Sequence, residues 1–220
     1  NEYRHLGLAV VGHIASKLSA GSLQRARLLG FTDGDTNLVL NPRDFPSRDI
    51  WGEAIINACQ RWRIDIIAQL GWLKLTPPNV LAAFSNRVIN QHPAPLDPGY
   101  PDFGGQGMFG RAAHATRLLY VRMGGMLEPW TEATVHFTNA EYDGGALIAT
   151  QRVLIEPKDD VEMLAKRVLP VEHALVISTL ATFANGRARP VQRDKRLVPT
   201  DRLTQLSIAK EHARYLFPNG

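Results

Sequence analysis

Between Leu6 and Gln91 short β-branched apolar runs alternate with segments whose apolar residues recur at helical spacing, and this rhythm constrains the fold more than any other feature. Leu6 to Ile14 reads as a strand. Ser22 to Leu29 follows with helix formers that stop at Gly30, a residue suited to the left-handed turn after a helix. Ser47 can cap a helix on which Ile50, Ala54, Ala58 and Trp62 form one apolar stripe. Ile64 to Leu70 is almost continuously apolar, as in a strand covered on both faces. Pro77-Pro78 can open a short helix through Phe84, and Asn86 to Gln91 returns as a strand. Strands separated by helices cross over in the same sense, which predicts an α/β protein with a Rossmann-like, open, mostly parallel sheet and helices on both faces.

The segment from His92 to Met108 carries Pro93, Pro95, Pro98 and Pro101 among several glycines, and so must be a loop. Beyond it, Thr134-Val135-His136-Phe137 and Ala146 to Ile155 read as two strands joined through Asp143-Gly144-Gly145. Asp160 to Phe183 reads as a helix interrupted at Pro170. At 220 residues and 45% apolar content the chain can bury one good core. Its net charge of +4 is scattered, apart from a basic cluster at Arg187 to Arg196 without interleaved aromatics, which disfavours nucleic acid as a partner. No run approaches about eighteen apolar residues, so no membrane span is expected. Cys59 stands alone, which excludes an intrachain disulfide and fits a reducing, cytoplasmic setting.

Asn90-Gln91-His92-Pro93 gives the chemistry a location. Residues two apart on a strand share a face, so Asn90 and His92 project together from a strand end, where open α/β sheets form their ligand crevices. Pro93 biases His92 toward extended backbone. An amide can donate to an oxyanion without changing charge, an imidazole can move a proton near neutral pH, and the carboxylate of Asp143 can orient that imidazole. No serine or cysteine lies in a nucleophile-elbow context and no spacing suits zinc. Acyl transfer to a nucleophile belonging to the substrate is the reading that uses all three groups. His136 alternates with Val135 and Phe137 and is read as structural, and His114, His173 and His212 are isolated from ligand partners, so no metal is expected.

Several stretches carry a family likeness: Val88-Ile89-Asn90-Gln91-His92-Pro93, Thr134 to Phe137, Glu141 to Ile148, and Arg167-Val168 with Glu172-His173-Ala174. In order and spacing the chain resembles the phosphoribosylglycinamide formyltransferase family, the folate-dependent enzymes of purine synthesis, over residues 6 to 187. Gly71 to Pro77 looks like the family's cofactor-side segment, and Gln24 to Arg27 with Gly30 is similar to its second helix. The resemblance implies that Asn90 binds the formyl oxygen, that His92 assists proton transfer and that Asp143 holds His92. It further implies that Leu73, Lys74 and Leu75, with Asn139, Ala140, Glu141 and Tyr142, bind the pterin of 10-formyltetrahydrofolate. Pro93 and Glu172 would lie on the side of glycinamide ribonucleotide, whose amine accepts the formyl group. The expected organisation is a catalytic domain over 1–187 and a basic C-terminal extension over 188–220, as a monomer or homodimer.

Three departures stand beside the likeness. The chain begins at what resembles the family's second strand, so the first strand and its phosphate loop are expected to be absent. Leu169-Pro170-Val171 replaces a polar stretch, with a bend expected at Pro170. Pro98 to Met108 differs from the family's shorter loop, and Glu132 stands where a glycine is usual. Transfer to an amino sugar nucleotide or another amine, hydrolysis of the formyl folate, and a noncatalytic folate-binding module are the alternative readings.

Overall fold

The computed structural model describes residues 4–124 and 126–220, and the chain divides into two compact units, Asn1–Val88 and Ile89–Gly220. In the first, β1 (His13–Ala15) pairs in parallel with β2 (Asn37–Val39). Between them runs α1 (Gly21–Leu28), ending one residue before Leu29 caps it and Gly30 turns at φ +88°. The early strand is much shorter than its apolar run, because Arg4–Leu6 forms a 3-10 turn and Val10 and Val11 stay exposed. α2 (Arg48–Arg61) starts where Ser47 accepts the Ile50 N–H at 3.2 Å. Its buried stripe, Trp51, Ile55 and Cys59, packs with Val80 and Phe84 of the segment around α3 (Pro78–Ala83) and with Val88. Trp51 stacks on Trp72 with ring centroids 5.9 Å apart. β3 (Ile67–Gln69) precedes α3, and Gln69 donates to Thr76 at 2.6 Å across the turn that carries Leu73, Lys74 and Leu75.

In the second unit β4 (Val88–His92), β5 (Trp130–Phe137) and β6 (Leu147–Leu154) lie in that order with antiparallel pairing. The parallel arrangement expected from the strand-helix rhythm is seen between β1 and β2, and the C-terminal strands add this antiparallel portion. The reason lies in the connection. The irregular segment 93–109 and α4 (Gly110–Met123) together return the chain to the end of β4 at which it left, so β5 enters beside His92. α4 is a helix the breaker-rich sequence before it obscured.

α5 (Val161–Ala184) begins where Asp160 accepts the Met163 N–H at 2.7 Å. The interruption expected at Pro170 is absent: the helix continues through it. Pro170 lies on the exposed face, so the Lys166 carbonyl it leaves without a helical donor can turn to solvent. The opposite face buries Leu164, Val168, Glu172, Val176 and Thr179. Among the described helices α5 is long and apolar enough to cross a membrane by length and composition.

Contacts do not separate the tail at residue 187. Val191 bridges to Leu147 of β6, Leu197 and Val198 enter the core, and α6 (Leu203–Leu216) adds Leu206 and Ala209 to the cluster of Phe103, Leu118, Tyr120, Ala133, Ile155, Leu164 and Val168. Nor is the basic cluster a free patch. Arg193 pairs with buried Glu132 and donates to the Leu96 carbonyl at 2.7 Å, and the Arg196 guanidinium lies over Tyr100 at 4.7 Å.

Candidate active site

β4 and β5 lay out the site by register. Asn90 faces His136, and His92 faces Thr134, so these four side chains share one face of the sheet, with Gln91 and Val135 on the other. A β-bulge at Val135/His136 shifts the pairing with β6 at this point, as bulges do where a side chain is re-aimed. The Asn90 Nδ2 lies 3.4 Å from His136 Nε2. His136 is fixed from its other nitrogen, Nδ1, which donates to the Phe137 carbonyl at 2.8 Å. His92 is fixed likewise: Nε2 meets the Phe103 carbonyl at 3.2 Å, and a carbonyl can only accept, so Nε2 carries the proton. Its Nδ1 is thereby the free position, and it points toward Asp143.

Asp143 sits between the two imidazoles. Oδ2 is 3.6 Å from His92 Nδ1, and Oδ1 is 3.6 Å from His136 Nε2. The Gly105 N–H donates to Oδ2 at 2.9 Å. Burial by itself would raise this carboxyl, but positive charge on His92, the nearby His136 ring and the hydrogen bond from the Gly105 N–H outweigh it and bring it down to about 2. Asp143 is therefore a carboxylate throughout the neutral range. The local backbone explains how it reaches this place. Asp143 has φ +56°, a left-handed conformation that aspartate tolerates better than most residues. Gly145 has no room for a side chain, since a Cβ there would stand 1.6 Å from the Phe137 carbonyl oxygen. Ahead of Asp143, the Asn139 Oδ1 accepts the Glu141 N–H at 3.0 Å and closes a turn that leaves Ala140, Glu141 and Tyr142 on the surface.

The structure thus brings Asn90, His92 and Asp143 together and adds His136, which the sequence reading set aside as structural. The signal for His136 was the cross-strand register opposite Asn90, which no single strand displays. Glu172 is brought elsewhere. It is buried on α5 and accepts a hydrogen bond from Gln91, whose side chain leaves the opposite face of β4. Burial raises the Glu172 carboxyl to about 7 despite that bond. Pro93 is half-buried at the end of β4. Leu73, Lys74 and Leu75 belong to the first unit, where Leu73 and Lys74 are exposed and Leu75 is half-buried. Burial pushes the Cys59 thiol up to about 11, so the chain's single thiol is no nucleophile.

An amide donor, a proton-carrying imidazole and a carboxylate charged at neutral pH converge at one strand end, a set of groups that acyl transfer without a covalent nucleophile can use. The chain belongs to the formyl transferase family, whose model matches residues 3–180. It is 33% identical over 181 residues to the chloroplastic phosphoribosylglycinamide formyltransferase of Arabidopsis thaliana, covering 82% of this chain and 57% of that protein. With the phosphoribosylglycinamide formyltransferase of Mycobacterium tuberculosis it shares 32% identity over 68% of this chain and 63% of the relative. The chain therefore spans a little under two thirds of the length of these relatives. A crystal structure of glycinamide ribonucleotide transformylase 1 from Symbiobacterium toebii superposes with a TM-score of 0.66 at 30% identity, covering 79% of this chain and 73% of that one. The fold is accordingly the α/β, Rossmann-like one expected from the sequence.

Proposed function

We propose that this chain carries the catalytic centre of a folate-dependent formyltransferase acting on glycinamide ribonucleotide in purine synthesis. The observation that carries the reading is the placement of Asp143 between His92 and His136 with Asn90 beside them. The named activity of the relatives in Arabidopsis and Mycobacterium supports the choice of acceptor.

The formyl donor, 10-formyltetrahydrofolate, supplies an activated carbonyl carbon, and the turn at Asn139 to Tyr142 suits its polar pterin because it offers exposed backbone groups immediately before Asp143. Asn90 keeps only a long contact, so its amide is free to donate to the oxygen that gains charge as the carbon is attacked. As the acceptor amine bonds to the formyl carbon, His92 takes up the proton that amine loses at Nδ1, the one ring position not committed to a backbone carbonyl; the Asp143 carboxylate stabilises the cation, and the proton passes to the folate nitrogen as its bond to the formyl carbon breaks. The 3.6 Å separations are longer than a hydrogen bond and shorten when that proton arrives. His136 orients the Asn90 amide through Nε2. Pro93 and Glu172 are assigned to the nucleotide, Glu172 with the weaker support because Gln91 already engages it. Among the described residues no cluster of ligating side chains could hold a metal, and these steps call for none. A cytoplasmic setting agrees with one buried free cysteine.

Formation of the tetrahydrofolate-side product from a 10-formylfolate donor, followed spectrophotometrically, tests the reading. Turnover that requires glycinamide ribonucleotide is expected. Turnover without any amine would make the chain a formyl-folate hydrolase, and turnover only with an amino sugar nucleotide would replace the acceptor.

A further inference from the structure

The loop between β4 and α4 reaches both catalytic partners through three successive residues. The Phe103 carbonyl accepts from His92, and the Gly105 N–H donates to Asp143. Gly104 lies between them with both of its polar backbone groups occupied. Its N–H donates to Asp102 Oδ1 at 2.9 Å, and its carbonyl accepts from Lys210 Nζ at 2.7 Å. Asp102 is itself braced, since its Oδ2 takes the Asp97 N–H at 2.8 Å. Contact here is tight: a Cβ on Gly104 would stand 2.8 Å from Asp143 Cβ and 2.5 Å from a Leu96 methyl. The backbone at Gly104 therefore passes close beside Asp143, with no room for a side chain between them.

Lys210 comes from α6. Four residues on, and so on the same face of the helix, Arg214 donates to the Gln106 carbonyl at 3.3 Å. The helix thus presents two cations to two carbonyls of one loop, Gly104 and Gln106, at a spacing that matches one helical turn. The family match ends at residue 180, so this helix lies outside the part of the chain that defines the family. Lys210 is half-buried, and its amine is spent on the Gly104 carbonyl rather than on solvent alone. Burial lowers Lys210 from its ordinary value, while the charges of Asp102 and Asp143 act to keep it protonated.

We propose that Lys210 is a positioning residue of the active site: by holding the Gly104 carbonyl it sets the Phe103 carbonyl against His92 and the Gly105 N–H against Asp143, so that the C-terminal helix tunes catalysis without touching substrate. The inference rests on the function proposed above for the kinetic part of its test, and not for the structural part.

The experiment uses the full chain as Lys210→Met, Lys210→Arg and Asp143→Asn, with two readouts. In ¹H–¹⁵N spectra the Gly105 amide proton, which donates to a carboxylate, moves upfield in Asp143→Asn and identifies the reporter resonance. Lys210→Met is expected to shift the same resonance and raise its exchange rate, while Lys210→Arg, which keeps a donor, restores it. In the formyl-transfer assay Lys210→Met is expected to lose about 10- to 100-fold in kcat with KM for both substrates within about twofold, the loss expected when only alignment suffers, and Lys210→Arg recovers most of it. An unmoved Gly105 resonance in Lys210→Met overturns the proposal, as does a normal kcat or a loss carried by KM alone. If Lys210→Met does not fold, Lys210→Ala provides the same comparison, removing the donor without a long apolar side chain. Absence of turnover in the unsubstituted chain would reject the proposed function while the Gly105 readout still decides the role of Lys210.

Discussion

Asp143 is the residue on which the site's electrostatics turn, because it meets both imidazoles and the Gly105 amide. Asparagine accepts the left-handed backbone at this position as readily as aspartate does, so Asp143→Asn removes the charge and leaves the turn. We expect its kcat to fall by about 10²- to 10⁴-fold, the usual contribution of a group that supports proton transfer, with circular dichroism unchanged. His136→Phe separates the two imidazoles. If His136 only orients Asn90, the loss should be close to that of Asn90→Ala, and the double variant should lose little more; full additivity would show that His136 acts independently. Legibility differed among these residues for a physical reason. Asn90 and His92 lie on one strand, where their shared face follows from a period of two, and Asp143 precedes two glycines that mark a turn. His136 depends on pairing between strands, and pairing register is not written in either strand alone.

Elements with strong boundaries were readable, and those set by tertiary contact were not. Ser47, read as a cap, caps α2, and Asp160, where the long helix was expected to begin, proves to be the cap of α5. The first apolar run failed as a strand because its residues are not buried, leaving only His13–Ala15 paired. α6 was hidden by its place after a basic, polar stretch, and its apolar residues become informative only once α4 is there to receive them. Pro170 exposed the limit of a local rule. A proline costs a helix about 3 kcal/mol relative to alanine, yet the neighbouring packing of Val168 and Glu172 carries α5 through it. Pro170→Ala restores the donor to the Lys166 carbonyl at an exposed position, and we expect a gain of about 1–3 kcal/mol in urea unfolding. No gain would mean that the Lys166 carbonyl is already satisfied by solvent at no cost to the helix. The opposite outcome is expected at Gly145, where alanine collides with the Phe137 carbonyl; Gly145→Ala should lose about 2–4 kcal/mol or fail to fold, measured on the same scale.

Taken over the whole molecule, two buried carboxyl groups with opposite shifts set how stability follows pH. Asp143 ionises at about 2 in the fold against an ordinary 3.8. The unfolded chain therefore binds this proton more tightly than the folded one, so the contribution is complete above pH 4 and is lost as pH falls through 2. That difference corresponds to about 2 kcal/mol. Glu172 behaves in the reverse sense, titrating at about 7 against an ordinary 4.5. Here the fold binds the proton more tightly, so stability is complete below pH 4.5 and declines as pH rises through 7, by about 3 kcal/mol. Between them the two groups place their joint optimum near pH 4 to 5, with an acid limb owned by Asp143 and an alkaline limb owned by Glu172. Glu172→Gln keeps the acceptor for Gln91 and removes the charge, and should flatten the alkaline limb alone. Urea midpoints measured from pH 3 to 9 then separate the two: the variant should match its parent at pH 4.5 and exceed it by about 2–3 kcal/mol at pH 8. Parallel curves for parent and variant between pH 5 and 8 would show that Glu172 is ionised without penalty, and that the Gln91 contact leaves its carboxylate open to the nucleotide.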